Sequence, residues 1–246
     1  MKPPLAEWAV MTINLMLRLA FLYLVLITLP GLAQQGDMQL RSALQLSVDL
    51  PKKWSTEVQY QYRADQNLSH FRGSYISGAL QYELLKNIVQ AEVEYRYRTS
   101  YKNEQHRLGA GLTAKYKHGD YSLSWRTLYQ KRYPYFNAGV YEPGKEPDAY
   151  WRNRIQLKYK WSKRVAIYGS AELFYKIKPK EQYIGRMRYV AGFDWEWKKR
   201  HHLNCFYLIQ PQYHATNPVT VHAMGVTYAI DMSLFKSKGK KKADYF

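Results

Sequence analysis

Charged side chains alternate with apolar and aromatic ones in the segment AEVEYRYRTS, residues 91–100. The even positions from 92 to 98 carry two glutamates and two arginines, and the odd positions between them carry valine and tyrosine. Since a strand sends alternate side chains to opposite faces, this segment has one charged face and one apolar, aromatic face. Carboxylates and guanidinium groups on one face can neutralise each other or bind charged solutes. Such a face meets bulk water in a soluble sandwich and a polar lumen in a membrane barrel.

The same alternation assigns charged residues of other segments to the face of Glu92. Two interpretations of this inner face remain open. Its side chains either fill a small barrel as a plug of guanidinium–carboxylate pairs, or they line a narrow, anion-preferring pore or acidic-ligand site, because arginines outnumber carboxylates. The residues predicted to face the lumen are Glu57, Arg63, Glu92, Glu94, Arg96, Arg98, Arg126, Arg152, Arg154, Glu172, Arg186, Arg188, Asp194 and Glu196.

Alternating segments recur from residue 44 to residue 232, and we count about eleven, each roughly nine to thirteen residues long. This length suits a strand that crosses a bilayer with tilt. Short connections such as PKK (51–53) alternate with longer ones such as ADQNLSHFRG (64–73) and FNAGVYEPGKEPD (136–148). Bacterial outer-membrane barrels sort their connections in this way and usually have an even number of strands. The fold class predicted is all-β, an antiparallel transmembrane β-barrel of about 10–12 strands. Residues 34–43 are left as a possible further edge strand.

The first residues are typical of a cleaved signal peptide. Lys2 and Arg18 precede the apolar run LAFLYLVLITL (19–29), and the small residues of PGLA follow it. The alternative, a single membrane anchor, is disfavoured because this run is too short to span a bilayer. The predicted organisation is therefore a signal peptide at 1–33, a barrel at 34–235 and a lysine-rich tail at 236–246.

Composition agrees with an exported membrane barrel. The chain carries 24 Tyr and 7 Trp, and most tryptophans lie near predicted strand ends, as in the aromatic girdles of membrane proteins. The formal net charge is +18. Nucleic acid is not expected as a partner of an exported chain. The basic tail is either solvated or in contact with anionic headgroups or envelope polymers.

Three segments carry a family resemblance. YWRNRIQLKY (150–159), SAELFY (170–175) and GRMRYVAGFDW (185–195), together with STEVQYQYR (55–63), resemble a family of uncharacterised outer-membrane β-barrels common in Bacteroidetes, domain of unknown function 2490. The resemblance implies a fold and an outer-membrane location in a Gram-negative bacterium. It implies no activity and no catalytic residue.

Enzymatic motifs are weak in this sequence. Ser69 and His70 lie in a predicted external loop, but adjacent strand residues point apart and no G-x-S-x-G elbow is present. The seven histidines, among them His201 and His202, match no zinc-binding spacing. Cys205, the single cysteine, is predicted to face lipid as a small hydrophobe. We therefore expect no catalytic residue, metal or cofactor.

The sequence predicts a non-enzymatic outer-membrane barrel, either structural or used for passage or binding of small anionic solutes. Its expected partners are outer-membrane lipid and lipopolysaccharide, and the barrel-assembly machinery during insertion. The alternatives are a soluble, lipocalin-like periplasmic binding barrel, which would place its charges outside, and a lipid-modifying enzyme that depends on Ser69 or His70.

Overall fold

Alternation of polar and apolar residues produces eleven strands in the computed structural model, which describes residues 37–100, 104–133, 148–177, 182–214 and 218–234. The predicted signal peptide, most of the segment 136–148 and the lysine-rich tail lie outside the described residues. The strands are β1 (Asp37–Asp49), β2 (Trp54–Asp65), β3 (His70–Leu85), β4 (Val89–Thr99), β5 (Gln105–His118), β6 (Tyr121–Tyr133), β7 (Asp148–Lys160), β8 (Val165–Ile177), β9 (Gln182–Lys198), β10 (His201–Gln210) and β11 (Val221–Ser233).

The eleven strands close into one barrel in which each strand pairs antiparallel with the next, from β1 to β11. In such a meander an odd number of strands leaves the first and last running in the same direction. Accordingly β1 and β11 close the barrel as a parallel pair, from Asp37 opposite Val221 to Asp49 opposite Ser233. The all-β barrel of 10–12 strands is confirmed. The expectation of an even number is wrong for the described strands, and the pairing is not antiparallel throughout.

One end of the barrel carries the short turns. Residues 119–120 and 199–200 are two-residue turns, and both contain a residue with positive φ, Gly119 and Arg200. At the opposite end, the connections after β6 and β10 span residues 134–147 and 211–220. We call these two ends the short-turn end and the long-loop end.

The connection after β2 is shorter than its composition predicts. The stretch 64–73 reads as a long loop, yet β2 and β3 continue through it and leave only residues 66–69 as a turn. Three consecutive turn residues, Gln66, Asn67 and Leu68, take positive φ values. A register shift next to Arg63 accommodates the extra residue. The polar composition of this stretch predicts a long loop, but the structure has a tight turn between two long strands.

Large apolar side chains lie exposed on the outer face of the barrel. Two rows of aromatic residues flank an aliphatic band that includes Val58, Leu112 and Ile155. The row at the short-turn end contains Trp54, Tyr121, Trp161, Trp195 and Trp197, and the row nearer the long-loop end contains Tyr62, Tyr95, Tyr129, Trp151 and Tyr189.

The parallel closure predicts a specific cross-link. Leu46 and Ile230 are direct partners across the β1–β11 seam. In a Cys205→Ser background, the double variant Leu46→Cys/Ile230→Cys should react with a short bifunctional thiol reagent. The covalently closed chain should then migrate anomalously on a denaturing gel after boiling.

The matched control is Leu46→Cys/Val226→Cys. Val226 is the partner of Ser42, four residues along β1 from Leu46, which corresponds to about 13 Å along the strand. Equal cross-linking of both pairs, or of neither, would contradict this register.

Candidate functional site

Charged residues occupy the inner face of the barrel. On β4, Glu92 is only 8% exposed whereas its neighbour Val93 is 54% exposed. The fourteen residues predicted to face the lumen lie on β2, β4, β6, β7, β8 and β9, and all of them belong to the buried or half-buried positions. Within this set the structure brings six residues into one continuous ion-pair layer, namely Glu92, Glu94, Arg126, Arg152, Glu172 and Arg188.

The first half of the ion-pair layer joins β4 to β6 across the intervening strand. Arg126 Nη2 donates to Glu92 Oε2 at 2.9 Å and to Glu94 Oε2 at 3.0 Å, and its Nε also donates to Glu92. These side chains meet because β5 presents glycine opposite both glutamates. A Cβ at Gly109 would lie 2.9 Å from Glu94 Cγ. Glycine on β5 is therefore what allows the carboxylates of β4 to reach the guanidinium of β6.

The second half of the layer shares one carboxylate between two arginines. Arg152 Nη2 donates to Glu172 Oε1 at 2.7 Å, and Arg188 Nη1 donates to Glu172 Oε2 at 3.2 Å. Two glutamines accept further hydrogen bonds from these guanidinium groups. Gln130 accepts one from Arg152 at 2.9 Å, and Gln210 accepts two from Arg188, at 2.9 and 3.0 Å. Arg152 Nη1 also lies 3.9 Å from Glu94 Oε1, which links the two halves.

Apolar side chains lie at the same height as these ion pairs. Leu128 and Phe174 are each 1% exposed, although they share the inner face with Arg126 and Glu172. The ring of Phe174 is flanked by guanidinium groups, with Arg186 Cζ 4.3 Å and Arg152 Cζ 4.8 Å from its centroid. Charged, aromatic and aliphatic groups therefore pack against one another, as expected of a filled lumen.

A third group of polar side chains on the inner face lies nearer the short-turn end. Asp194 accepts hydrogen bonds from Lys158 and Asn204, and Asn204 Nδ2 also donates to Tyr168 at 3.1 Å. Among the predicted residues, Glu57 and Glu196 lie apart from the ion-pair layer. No ion pair within the described ranges involves Glu57, so the predicted ladder of opposite charges does not include it.

Toward the long-loop end the inner face is strongly cationic. Five arginines there, which we call the arginine cluster, come from β1, β2, β4 and β9. Their partners are mainly uncharged: Arg63 donates to Gln61 and lies 4.0 Å over the ring of Tyr75, and Arg98 lies 5.7 Å from the same ring. The cluster consists of Arg41, Arg63, Arg96, Arg98 and Arg186.

Several inner-face residues escaped prediction from the sequence. Arg41 lies in the stretch left unassigned, which the structure shows to be the first half of β1. Arg107 lies on the same face of β5 as Gly109 and Gly111, and a strand with so many small residues gives little sign of a charged face. Arg41 stands opposite Arg63, and Arg107 opposite Arg96. Alternation along β1 and β5 assigns both arginines to the inner face once each strand is recognised over its full length.

Ser69 and His70 do not form a hydrogen-bonded pair. Ser69 Oγ donates to the carbonyl of Gln66 at 2.6 Å, and His70 Nδ1 lies 3.2 Å from Asp65 Oδ1. The described part of the chain also contains no group of three or more His, Cys, Asp or Glu side chains placed to hold a metal ion. Cys205 is half-buried and not disulfide-bonded. The inner-face network thus remains the best-developed polar arrangement among the described residues.

The family model described as "Protein of unknown function (DUF2490)" matches residues 38–221, so the chain belongs to that family. No curated protein sequence matches the chain. Among solved structures, a NanC porin is 10% identical over 70% of this chain and 85% of its own, with a TM-score of 0.48. A bacterial polysaccharide outer membrane secretin is 8% identical over 70% and 62% of the two chains, with a TM-score of 0.47. The β domain of the Bordetella autotransporter BrkA is 11% identical over 71% and 79%, with a TM-score of 0.38.

The shared carboxylate predicts a large loss of stability when Glu172 is neutralised. Glu172→Gln would leave Arg152 and Arg188 without the carboxylate that both contact. Removing one partner of a buried ion pair costs about 3–5 kcal/mol, and we expect a decrease of about 3 kcal/mol in the free energy of unfolding. Urea unfolding of the barrel in lipid vesicles, followed by tryptophan fluorescence, measures it.

Glu57→Gln is the matched control, because it makes the same chemical change on the same inner face at a carboxylate without an ion pair among the described residues. Its effect should stay below about 1 kcal/mol. Similar losses for both variants would show that burial of any charge, and not the shared contact, determines stability.

Proposed function

We propose that this member of the DUF2490 family is a non-enzymatic barrel of the Gram-negative outer membrane whose interior binds or passes small anionic solutes. One observation carries the proposal, namely the polarity of the barrel wall: exposed leucine, valine, isoleucine and aromatic side chains cover the outside, and arginine and glutamate fill the inside. A soluble binding barrel has the opposite polarity, with charges outside and an apolar ligand site within.

The outer face supports insertion into a bilayer. An aliphatic band between two aromatic rows matches the arrangement of membrane barrels, whose tyrosines and tryptophans lie at the two headgroup regions. The described strands have 10 to 17 residues, and a tilted strand needs about 9–11 to cross. Insertion by the barrel-assembly machinery and contact with lipopolysaccharide follow from this location and are part of the proposal.

The described residues include no helix long and apolar enough to cross a membrane.

The inner face supports selection for anions. Arginines outnumber carboxylates there, and the excess is concentrated toward the long-loop end. The ion-pair layer and the buried side chains of Leu128 and Phe174 favour a closed barrel over an open channel. An anion that enters from the long-loop end thus meets a positive potential before it meets the plug.

Membrane fractionation combined with a heat-modifiability gel tests the location. We expect the native protein in the detergent-insoluble outer-membrane fraction, with unboiled and boiled samples migrating differently. Recovery in the soluble periplasmic fraction would overturn the proposal and favour the soluble binding barrel instead. A lipid-modifying enzyme would require Ser69 or His70 for turnover of lipid or lipopolysaccharide, and the absence of a hydrogen bond between them argues against this role.

Conductance tests the plug. In planar bilayers the wild-type barrel should conduct weakly, and Phe174→Ala should raise the single-channel conductance severalfold, because it removes a buried ring from the filled section of the lumen. A salt gradient should then give a reversal potential of the sign that indicates anion selectivity.

Phe193→Ala, on the outer face of the next strand β9, is the control for this experiment. It removes the same side chain from the lipid-facing side and should leave the conductance unchanged. An equal increase in both variants would point to general loosening of the barrel, and cation selectivity of the opened barrel would contradict anion passage.

A further inference from the structure

The arginine cluster lacks the carboxylates that neutralise the ion-pair layer. Within the described ranges, no side-chain carboxylate lies within ion-pairing distance of Arg41, Arg63, Arg96, Arg98 or Arg186. Arg41 donates to Gln39 at 3.4 Å and Arg98 to the carbonyl of Arg72 at 3.5 Å, and both distances are long for a hydrogen bond. The other acceptors of the cluster are Gln61 and the hydroxyl of Tyr75, which both serve Arg63. The protein itself therefore leaves several buried positive charges uncompensated.

Individual donor atoms of the cluster are also buried without a partner. The Nε atoms of Arg41, Arg96, Arg98 and Arg186 are inaccessible and make no hydrogen bond to any described residue, which is also true of Arg107, Arg132 and Arg154 outside the cluster. A buried guanidinium with unused donors is unfavourable, because it has lost water and gained nothing in exchange. In native proteins an unmatched buried donor calls for an explanation, and an ordered water or a bound ion is a common one.

The charges of the cluster converge on a common volume. Arg41 and Arg63 are direct neighbours on β1 and β2, where like charges opposite each other destabilise a sheet. Repulsion also acts over β3 between Arg63 and Arg96, and between both of them and Arg188 on β9. The rings of Tyr75 and Phe174 hold three of these guanidinium groups in place by stacking. Arg41, Arg63, Arg96 and Arg98 thus lie around one space beside Tyr75, and Arg186 lies on β9 beside Phe174.

We propose that the arginine cluster binds a soluble, multiply charged oxyanion, of the phosphate, sulfate or polycarboxylate class, at the long-loop side of the ion-pair layer. This inference rests on the proposed anion preference of the lumen and adds its location and ligand chemistry. Guanidinium groups match the paired oxygens of such anions through bidentate hydrogen bonds, whereas a chloride ion offers a single acceptor atom. The inner face is turned away from the lipid-facing surface, so a soluble anion and not a lipid headgroup is the ligand.

Inorganic phosphate is the probe for this site. The complete barrel, folded in an uncharged detergent, should bind phosphate saturably in titration calorimetry, and phosphate should raise its unfolding temperature more than chloride does at equal ionic strength. Arg96→Gln should weaken phosphate binding about tenfold or more, as expected for a lost charge-assisted contact. Arg164→Gln, in the exposed turn between β7 and β8, should bind like the wild type.

The variants distinguish a binding role from a structural one. If the cluster is an empty ligand site, Arg96→Gln should leave the stability of the anion-free barrel unchanged or increase it, because repulsion is relieved. A stability loss like that of Glu172→Gln, an equal effect of phosphate and chloride, or equal phosphate affinities of the Arg96 and Arg164 variants would each overturn the inference. The binding assay uses purified protein, so it can fail while fractionation still places the barrel in the outer membrane, and the two proposals fail separately.

Discussion

A guanidinium group inside a closed barrel needs an acceptor, and this requirement organises the interior of the protein. Where a glutamate is within reach, its carboxylate is the acceptor and also neutralises the guanidinium group, as for Arg126 and Arg152. Where none is within reach, amide oxygens and aromatic rings contribute, as Gln61 and Tyr75 do for Arg63. Neither of these carries a negative charge. The interior is therefore neutralised around the ion-pair layer and remains positive toward the long-loop end.

The neutralised section depends on the smallest residues of the barrel as much as on its charges. On β5 the residues opposite Glu92 and Glu94 are Gly111 and Gly109. A Cβ at Gly109 would fall 2.9 Å from Glu94 Cγ, and a Cβ at Gly111 would fall 2.3 Å from the carbonyl oxygen of Thr127 on β6. Closure of the barrel is equally necessary, because an open sheet would expose these carboxylates to water, where an ion pair contributes little. Local sequence, strand pairing and closure together make the network possible.

The alternation of side chains along each strand makes the strands and their inner faces predictable from the sequence. The alternation in residues 91–100 assigns Glu92 and Val93 to opposite faces, and the eleven strands follow from segments of the same kind. Parity does not determine which charges meet. The contact of Arg126 with Glu92 crosses a whole strand and depends on the register of β4, β5 and β6. The parallel closure of β1 on β11 follows from an odd number of strands, so the even number that is usual for outer-membrane barrels led away from it.

The position of β1 explains why the charge is distributed unevenly around the barrel. Beside the β1–β11 seam the inner face carries Ala43, Ala223 and Gly225, and the ring of Phe206 on β10 lies over Gly225, where a Cβ would fall 1.9 Å from its Cζ. Among the described residues this wall supplies bulky side chains but no carboxylate within ion-pairing distance of Arg41, and Arg41 lies directly opposite Arg63. The carboxylates of the ion-pair layer are on β4 and β8, and they already serve Arg126, Arg152 and Arg188. Among the described residues no further carboxylate pairs with the positive charge of Arg41 on β1. The wall that closes the barrel is for this reason also the wall at which the described interior keeps an unpaired positive charge, and this is the charge that the proposed anion would meet.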